Sequence, residues 1–86
     1  MNPTLVISRE DNVATALEPL EAGTTIRIGD AALGVVDAIP RGHKIALRDI
    51  KSGDTVLKYG HDVGRAVADI GKGRHVHVHN LKTKRW

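Results

Sequence analysis

Apolar residues along this chain fall in short clusters, each closed by a glycine or proline, and two periodicities alternate between them. Leu5, Val6 and Ile7 predict an opening strand over Thr4 to Ser8. Val13, Ala16, Leu17 and Leu20 then fall at the spacing of one helical stripe. With Asp11 as N-cap, Pro19 near the end and Gly23 beyond, they predict a short helix. Thr24 to Ile28 and Ala31 to Val36 read as paired strands joined through Gly29-Asp30, a two-residue hairpin signal. Ile39-Pro40-Arg41-Gly42 is a turn, after which His43, Ile45 and Leu47 alternate with Lys44, Ala46 and Arg48. Thr55 to Tyr59 is a strand broken by Gly60. Asp62 is placed to cap a second short helix, with Val63, Ala66, Val67 and Ile70 at i, i+3, i+4 and i+7; Gly64 weakens it and Gly71 ends it. The expectation is a mainly β domain of short strands with two short helices.

A weak internal repeat underlies these elements. Leu20 to Ile26, Ile50 to Val56 and Ile70 to Val76 each have an apolar residue, a glycine three on and an apolar residue three further. The physical unit is a tight turn closed by glycine that feeds a strand. The intervals between the units differ, which excludes a solenoid of fixed period.

The last unit runs into Arg74-His75-Val76-His77-Val78-His79-Asn80. As a strand it sets His75, His77 and His79 on one face and Val76 and Val78 on the other. Imidazole exchanges protons near neutral pH and is the commonest metal ligand, so the cluster points to proton transfer or metal binding. Alternate residues of a straight strand lie about 7 Å apart, so two of the three can share an ion, with ligands from elsewhere. His43 and Lys44 follow directly on a turn, and Lys58 and Tyr59 end a strand. If these endpoints meet the histidines, the set contains bases, acids and cations for a carboxylate. Taken singly, Lys44 and Lys58 read as surface lysines, Tyr59 as a core aromatic with a wet hydroxyl, and Asp49 and Asp69 as turn caps.

Composition narrows the classes. A chain of 86 residues supports one small core, so residues 1–81 read as a single domain and 82–86 as a patternless basic tail. The absence of cysteine excludes disulfides and thiolate metal sites. No long apolar run or signal-like segment follows Met1, so the expectation is an untargeted cytoplasmic protein without a membrane association. The net charge of +3 suits an anionic partner. With only Tyr59 and Trp86 aromatic there is no stacking platform for single-stranded nucleic acid, and no nucleic-acid partner is expected. Phosphate-cradling loops and nucleophile elbows are absent.

Three segments in order, Ile39-Pro40-Arg41-Gly42-His43-Lys44-Ile45-Ala46-Leu47, Val56-Leu57-Lys58-Tyr59-Gly60, and Ile70 through Asn80, resemble the small SAF-type domain of the altronate and galactarate dehydratases. Asp11-Asn12-Val13-Ala14 fits as well, and the likeness covers nearly the whole chain. The resemblance implies a compact β-clip fold and a role in a lyase that eliminates water from a sugar acid to give a 2-keto acid. It also implies a divalent metal, iron or manganese, shared with or held by a partner. Family dehydratases carry a much larger domain after the small one. In the related sulfolactate sulfo-lyases, which release sulfite to give pyruvate, the two parts are separate subunits. A small subunit with a separately encoded large partner is therefore expected, inactive alone and taking an anionic hydroxy acid or sulfonate as substrate.

On that resemblance His43, His75 and His77 are the expected catalytic residues. Lys44, Lys58, Tyr59, Arg74 and Asn80 are expected to bind substrate, and His77 and His79 to hold metal. A different class remains open: SAF-like domains also serve as non-catalytic binding or assembly modules, a reading that leaves the histidine-rich stretch without a purpose.

Overall fold

A short turn closed by glycine recurs along the chain and delivers the backbone into a strand each time. The computed structural model describes residues 4–5 and 10–83. Within them Gly23, Gly42, Gly53 and Gly73 hold φ of +87°, +83°, +90° and +85°, where a side chain is disfavoured. Ile39 to Ile45 is thus a further copy of the unit.

The strands are β1 (Thr4–Leu5), β2 (Val13–Ala16), β3 (Thr25–Ile28), β4 (Ala31–Gly34), β5 (Lys44–Ala46), β6 (Thr55–Lys58), β7 (His61–Ala66), β8 (His75–Val76) and β9 (Leu81–Thr83). They form a four-stranded sheet in the order β1-β2-β5-β8, the hairpin β3-β4, and a three-stranded sheet β6-β7-β9, with every pairing antiparallel. Lys82 and Thr83 thus belong to a paired strand. Residues 84–86 of the expected tail, and Val6 to Ser8 of the expected opening strand, lie outside the described residues.

No helix occurs among the described residues, and both expected helices are strands. The first was misread because β2 has no solvent face. Val13 packs with Ala46, Ile50, Val56 and Val76 in one core, while Ala14 and Ala16 pack with Leu33, Ile39 and Ile45 in the other. A strand buried on both faces loses the alternation that identifies strands. Asp11 does not cap a helix. Its carboxylate accepts the N–H groups of Tyr59 (2.8 Å) and Gly60 (2.7 Å). Asn12 bonds the same hairpin through Leu57 N–H (2.7 Å) and Thr55 C=O (2.9 Å). The second helix fails because Gly64 packs against the backbone of Lys82 and Thr83, and because Val67 faces solvent.

The chain is an internal duplication. Leu20 pairs with Ile39 through reciprocal N–H···O=C bonds of 2.9 Å, and Ile50 pairs with Ile70 in the same way at 2.8 and 2.7 Å. Each pair closes a hairpin, β3-β4 in the first unit and β6-β7 in the second. Gly42 donates to Ala16 C=O and Ala16 to His43 C=O; Gly73 donates to Ala46 C=O and Ala46 to Arg74 C=O. Strand β5 ends the first unit and opens the second, and each unit has its own core. Burying each Val, Leu or Ile side chain there contributes roughly 1.5–3 kcal/mol against ordering of the chain.

Candidate active site

The duplication decides which residues meet. The first unit exits its turn as His43-Lys44 and the second as Arg74-His75, and the strands that follow, β5 and β8, pair with Ile45 opposite His75 and Lys44 opposite Val76. This brings His43 onto the histidines of the second unit although 32 residues separate it from His75. His43 Nδ1 lies 2.8 Å from His75 Nε2. The ring of His43 stacks on that of His77 at 3.7 Å between centroids, with planes 8° apart. Ligand nitrogens of His43, His75 and His77 all lie within 4.8 Å of one another.

The last strand is shorter than its sequence suggests. β8 ends at Val76, and His77 to Asn80 form a turn. Asn80 fixes this turn: its Oδ1 accepts the His77 N–H (3.0 Å) and its Nδ2 donates to the His75 C=O (2.8 Å). The Asn80 and Leu81 N–H groups both donate to the His77 C=O, at 3.0 and 2.9 Å. The turn keeps the rings of His75 and His77 nearly parallel, 5.7 Å apart, and leaves Val78 exposed. His79 sits 5.1 Å from His75, tilted by 39° and outside the close group of nitrogens. The structure therefore groups His77 with His43 and His75 rather than with His79.

The surroundings are cationic. Lys44 is half-buried at the start of β5, and burial followed by the charge of Lys58 holds its ammonium below the ordinary lysine range. Lys44 in turn acts on His77. Burial lowers the His77 pKa first, then the charges of His43, Lys44 and His79. His75 is lowered by burial and then by His43, His79 and His77, with Asp37 opposing. Both imidazoles are thereby kept neutral near pH 7, the form that accepts a proton or binds a metal. The Nδ1 of His77 is buried with no hydrogen-bond partner.

Lys58 places its ammonium 5.1 Å from the ring centre of Tyr59, and Tyr59 holds φ +55° at the tip of the β6-β7 hairpin. Arg74 is drawn to Asp37 (3.2 Å), whose other oxygen accepts the His75 N–H (3.1 Å). Of the expected residues, the structure thus joins His43, His75, His77, Lys44 and Lys58 in one run and sets Tyr59 at its end. Arg74 is occupied by a carboxylate, and Asn80 is occupied by backbone. Asp37 escaped the sequence reading, since one aspartate in an irregular stretch carries no pattern.

Such a set can bind an anion, hold a borderline divalent metal and transfer a proton. Comparison with known proteins agrees in kind. Residues 2–84 match the family described as the altronate/galactarate dehydratase SAF domain. The chain is 43% identical to altronate dehydratase of Bacillus subtilis over 83 residues, 96% of this chain and 17% of that protein. It is 62% identical to (2R)-sulfolactate sulfo-lyase subunit alpha of Chromohalobacter salexigens over 52 residues, 60% of this chain and 55% of that subunit. For the same subunit of Paracoccus pantotrophus the identity is 60% over 48 residues, 56% of this chain and 72% of that one. The matched region is thus about a sixth of the dehydratase and just over half of the first alpha subunit. No helix among the described residues is long and apolar enough to cross a membrane.

Proposed function

Because this chain belongs to the altronate/galactarate dehydratase SAF domain family, we propose that it is the small subunit of a two-component lyase. That lyase eliminates a group β to a carboxylate from a hydroxy acid, leaving a 2-keto acid, and works only with a large partner subunit. The observation that carries this reading is the convergence of His43, His75 and His77 beside Lys44 and Lys58. A non-catalytic module leaves this convergence unexplained.

The chemistry needs what these side chains supply. A base takes the proton from the carbon bearing the carboxylate, and its electron pair forms the carbon–carbon double bond. The group on the β carbon leaves with its own pair, and the resulting enol takes up a proton to become the 2-keto acid. Negative charge grows on the carboxylate during the first event, and the ammonium groups of Lys44 and Lys58 suit that charge. A neutral imidazole suits the proton transfers.

A divalent metal fits the donor set. Three imidazole nitrogens lie close together, and one buried nitrogen, Nδ1 of His77, has no other partner. His43, His75 and His77 would hold the ion, and all-imidazole ligation suits iron better than manganese, which favours oxygen. When bound, it supplies positive charge beside the developing enediolate.

Water is one candidate leaving group. Sulfite is the second: identity is 62% and 60% to sulfo-lyase alpha subunits over 52 and 48 residues, and 43% and 47% to altronate dehydratases over the longer spans of 83 and 73 residues. The test is to recover the tagged chain with its partner from native cells and assay 2-keto acid formation from altronate, galactarate and (2R)-sulfolactate, with and without divalent metal. Turnover of one substrate by the complex and none by the chain alone is expected. A lone chain, or a complex inactive on all of them, overturns the reading.

A further inference from the structure

The turn that holds the histidines also presents an apolar side chain to solvent. Val78, between His77 and His79, is 75% exposed, yet it sits on a turn fixed by the Asn80 amide and by backbone bonds rather than on a loose loop. Val67, 52% exposed, adjoins it, since its N–H donates to the Asn80 C=O (3.0 Å). With Leu81, Lys82 and Thr83 these valines line one shallow hollow.

A second observation bears on what fills it. On the neighbouring pair β7-β9, Arg65 stands directly opposite Lys82, and both are exposed. Like charges opposite one another in a sheet repel, and neither forms an ion pair among the described residues. Both border a second hollow, lined also by Asp62, that adjoins the first through Lys82 and Thr83. An apolar anchor flanked by two cations against one carboxylate fits a partner that offers an apolar side chain beside carboxylates. A second copy of this chain, with a net charge of +3, fits less well.

We infer that the face made by Val67, Val78, Arg65 and Lys82 is where the large subunit seats, and that the seated subunit borders the histidine site through the His77–Asn80 turn. This rests on the two-component reading above.

The purified complex from native cells tests it. Val78→Asp, and separately Arg65→Glu with Lys82→Glu, are expected to weaken binding of the large subunit at least tenfold in titrations of the separated subunits. Leu17→Asp, on another exposed apolar position, is expected to change it less than twofold. Circular dichroism checks that each variant is folded, and a photo-crosslinker at position 78 reports the seated segment if Val78→Asp fails to fold. A large-subunit peptide containing Asp or Glu crosslinked there supports the inference. Three results overturn it: binding unchanged in both variants, a crosslinker at 78 that stays silent in an assembled complex, or self-association through Val78. Failure to recover any large subunit overturns the two-component reading as well, which separates the two failures.

Discussion

His43 Nδ1 and His75 Nε2 lie 2.8 Å apart, so in the metal-free chain one ring donates and the other accepts. Two protonated rings cannot make this bond.

A pH dependence of stability follows. His75 and His77 have pKa values lowered on folding, so below the ordinary imidazole value of about 6.5 the unfolded chain binds more protons than the folded one. Stability is fully present above that value and is lost as pH falls through it toward the folded pKa values. Urea midpoints of the chelator-treated chain are expected to be nearly equal at pH 8 and 7 and to fall at pH 6 and again at 5.5. The double substitution His75→Gln, His77→Gln is expected to flatten the trend, and a chain that gains stability on acidification contradicts it.

In the proposed two-component lyase, His77→Ala is expected to lower kcat by about 10²–10⁴. His79→Ala, outside the close group, is expected to cost less than tenfold. Because His77 Nδ1 has no protein partner, the substitution costs no side-chain hydrogen bond, and its effect on the melting temperature is limited to the lost stacking on His43. Equal effects at the two positions would remove the distinction drawn between them.

Asp11 is a buried carboxylate, 1% exposed, that ties two amides at the tip of a distant hairpin. Asp11→Ala is expected to destabilise by about 3 kcal/mol, because both amides lose a charged acceptor. The same hairpin stores strain in Tyr59 at φ +55°. Tyr59→Asn, which makes the Asn-Gly pair that such hairpins prefer, is expected to stabilise by about 0.5–1 kcal/mol. Denaturant titration reads both.

Glycines of the repeated turn differ in their surroundings. A Cβ at Gly53 meets open space, whereas one at Gly73 runs into the Gly34 carbonyl and crowds Val36. Gly53→Ala therefore carries only the cost of a left-handed backbone, about 1–2 kcal/mol. Gly73→Ala is expected to cost more than about 3 kcal/mol. Similar losses at both positions would show that φ alone governs the turn.

The sequence displayed the β3-β4 hairpin and the glycine turns plainly, because those signals are local, whereas the second strand of the β6-β7 hairpin read as a helix. Val13 to Leu20 misled because β2 is covered on both faces, and because the partners that hold Asp11 and Asn12 lie 43 to 49 residues away. The site was half legible. Spacing alone gave His75 and His77, while His43 entered through its place after a turn and the family resemblance. The turn at 77–80, which tilts His79 away from the parallel rings, is held by the Asn80 side chain and by two backbone bonds to the His77 C=O, and a run of alternating residues conceals such a break. The duplication stayed hidden because Ile39 to Ile45 was read as an ordinary turn rather than as another copy.

At matching steps of the duplicated unit the first copy has His43 and Lys44 where the second has Arg74 and His75, while Ile39, Gly42 and Ile45 answer to Ile70, Gly73 and Val76. The residues that shape the backbone and the histidines and cations of the candidate site occupy interleaved positions. Such a chain can exchange the side chains at the exits of its turns without rewriting the instructions that fold it.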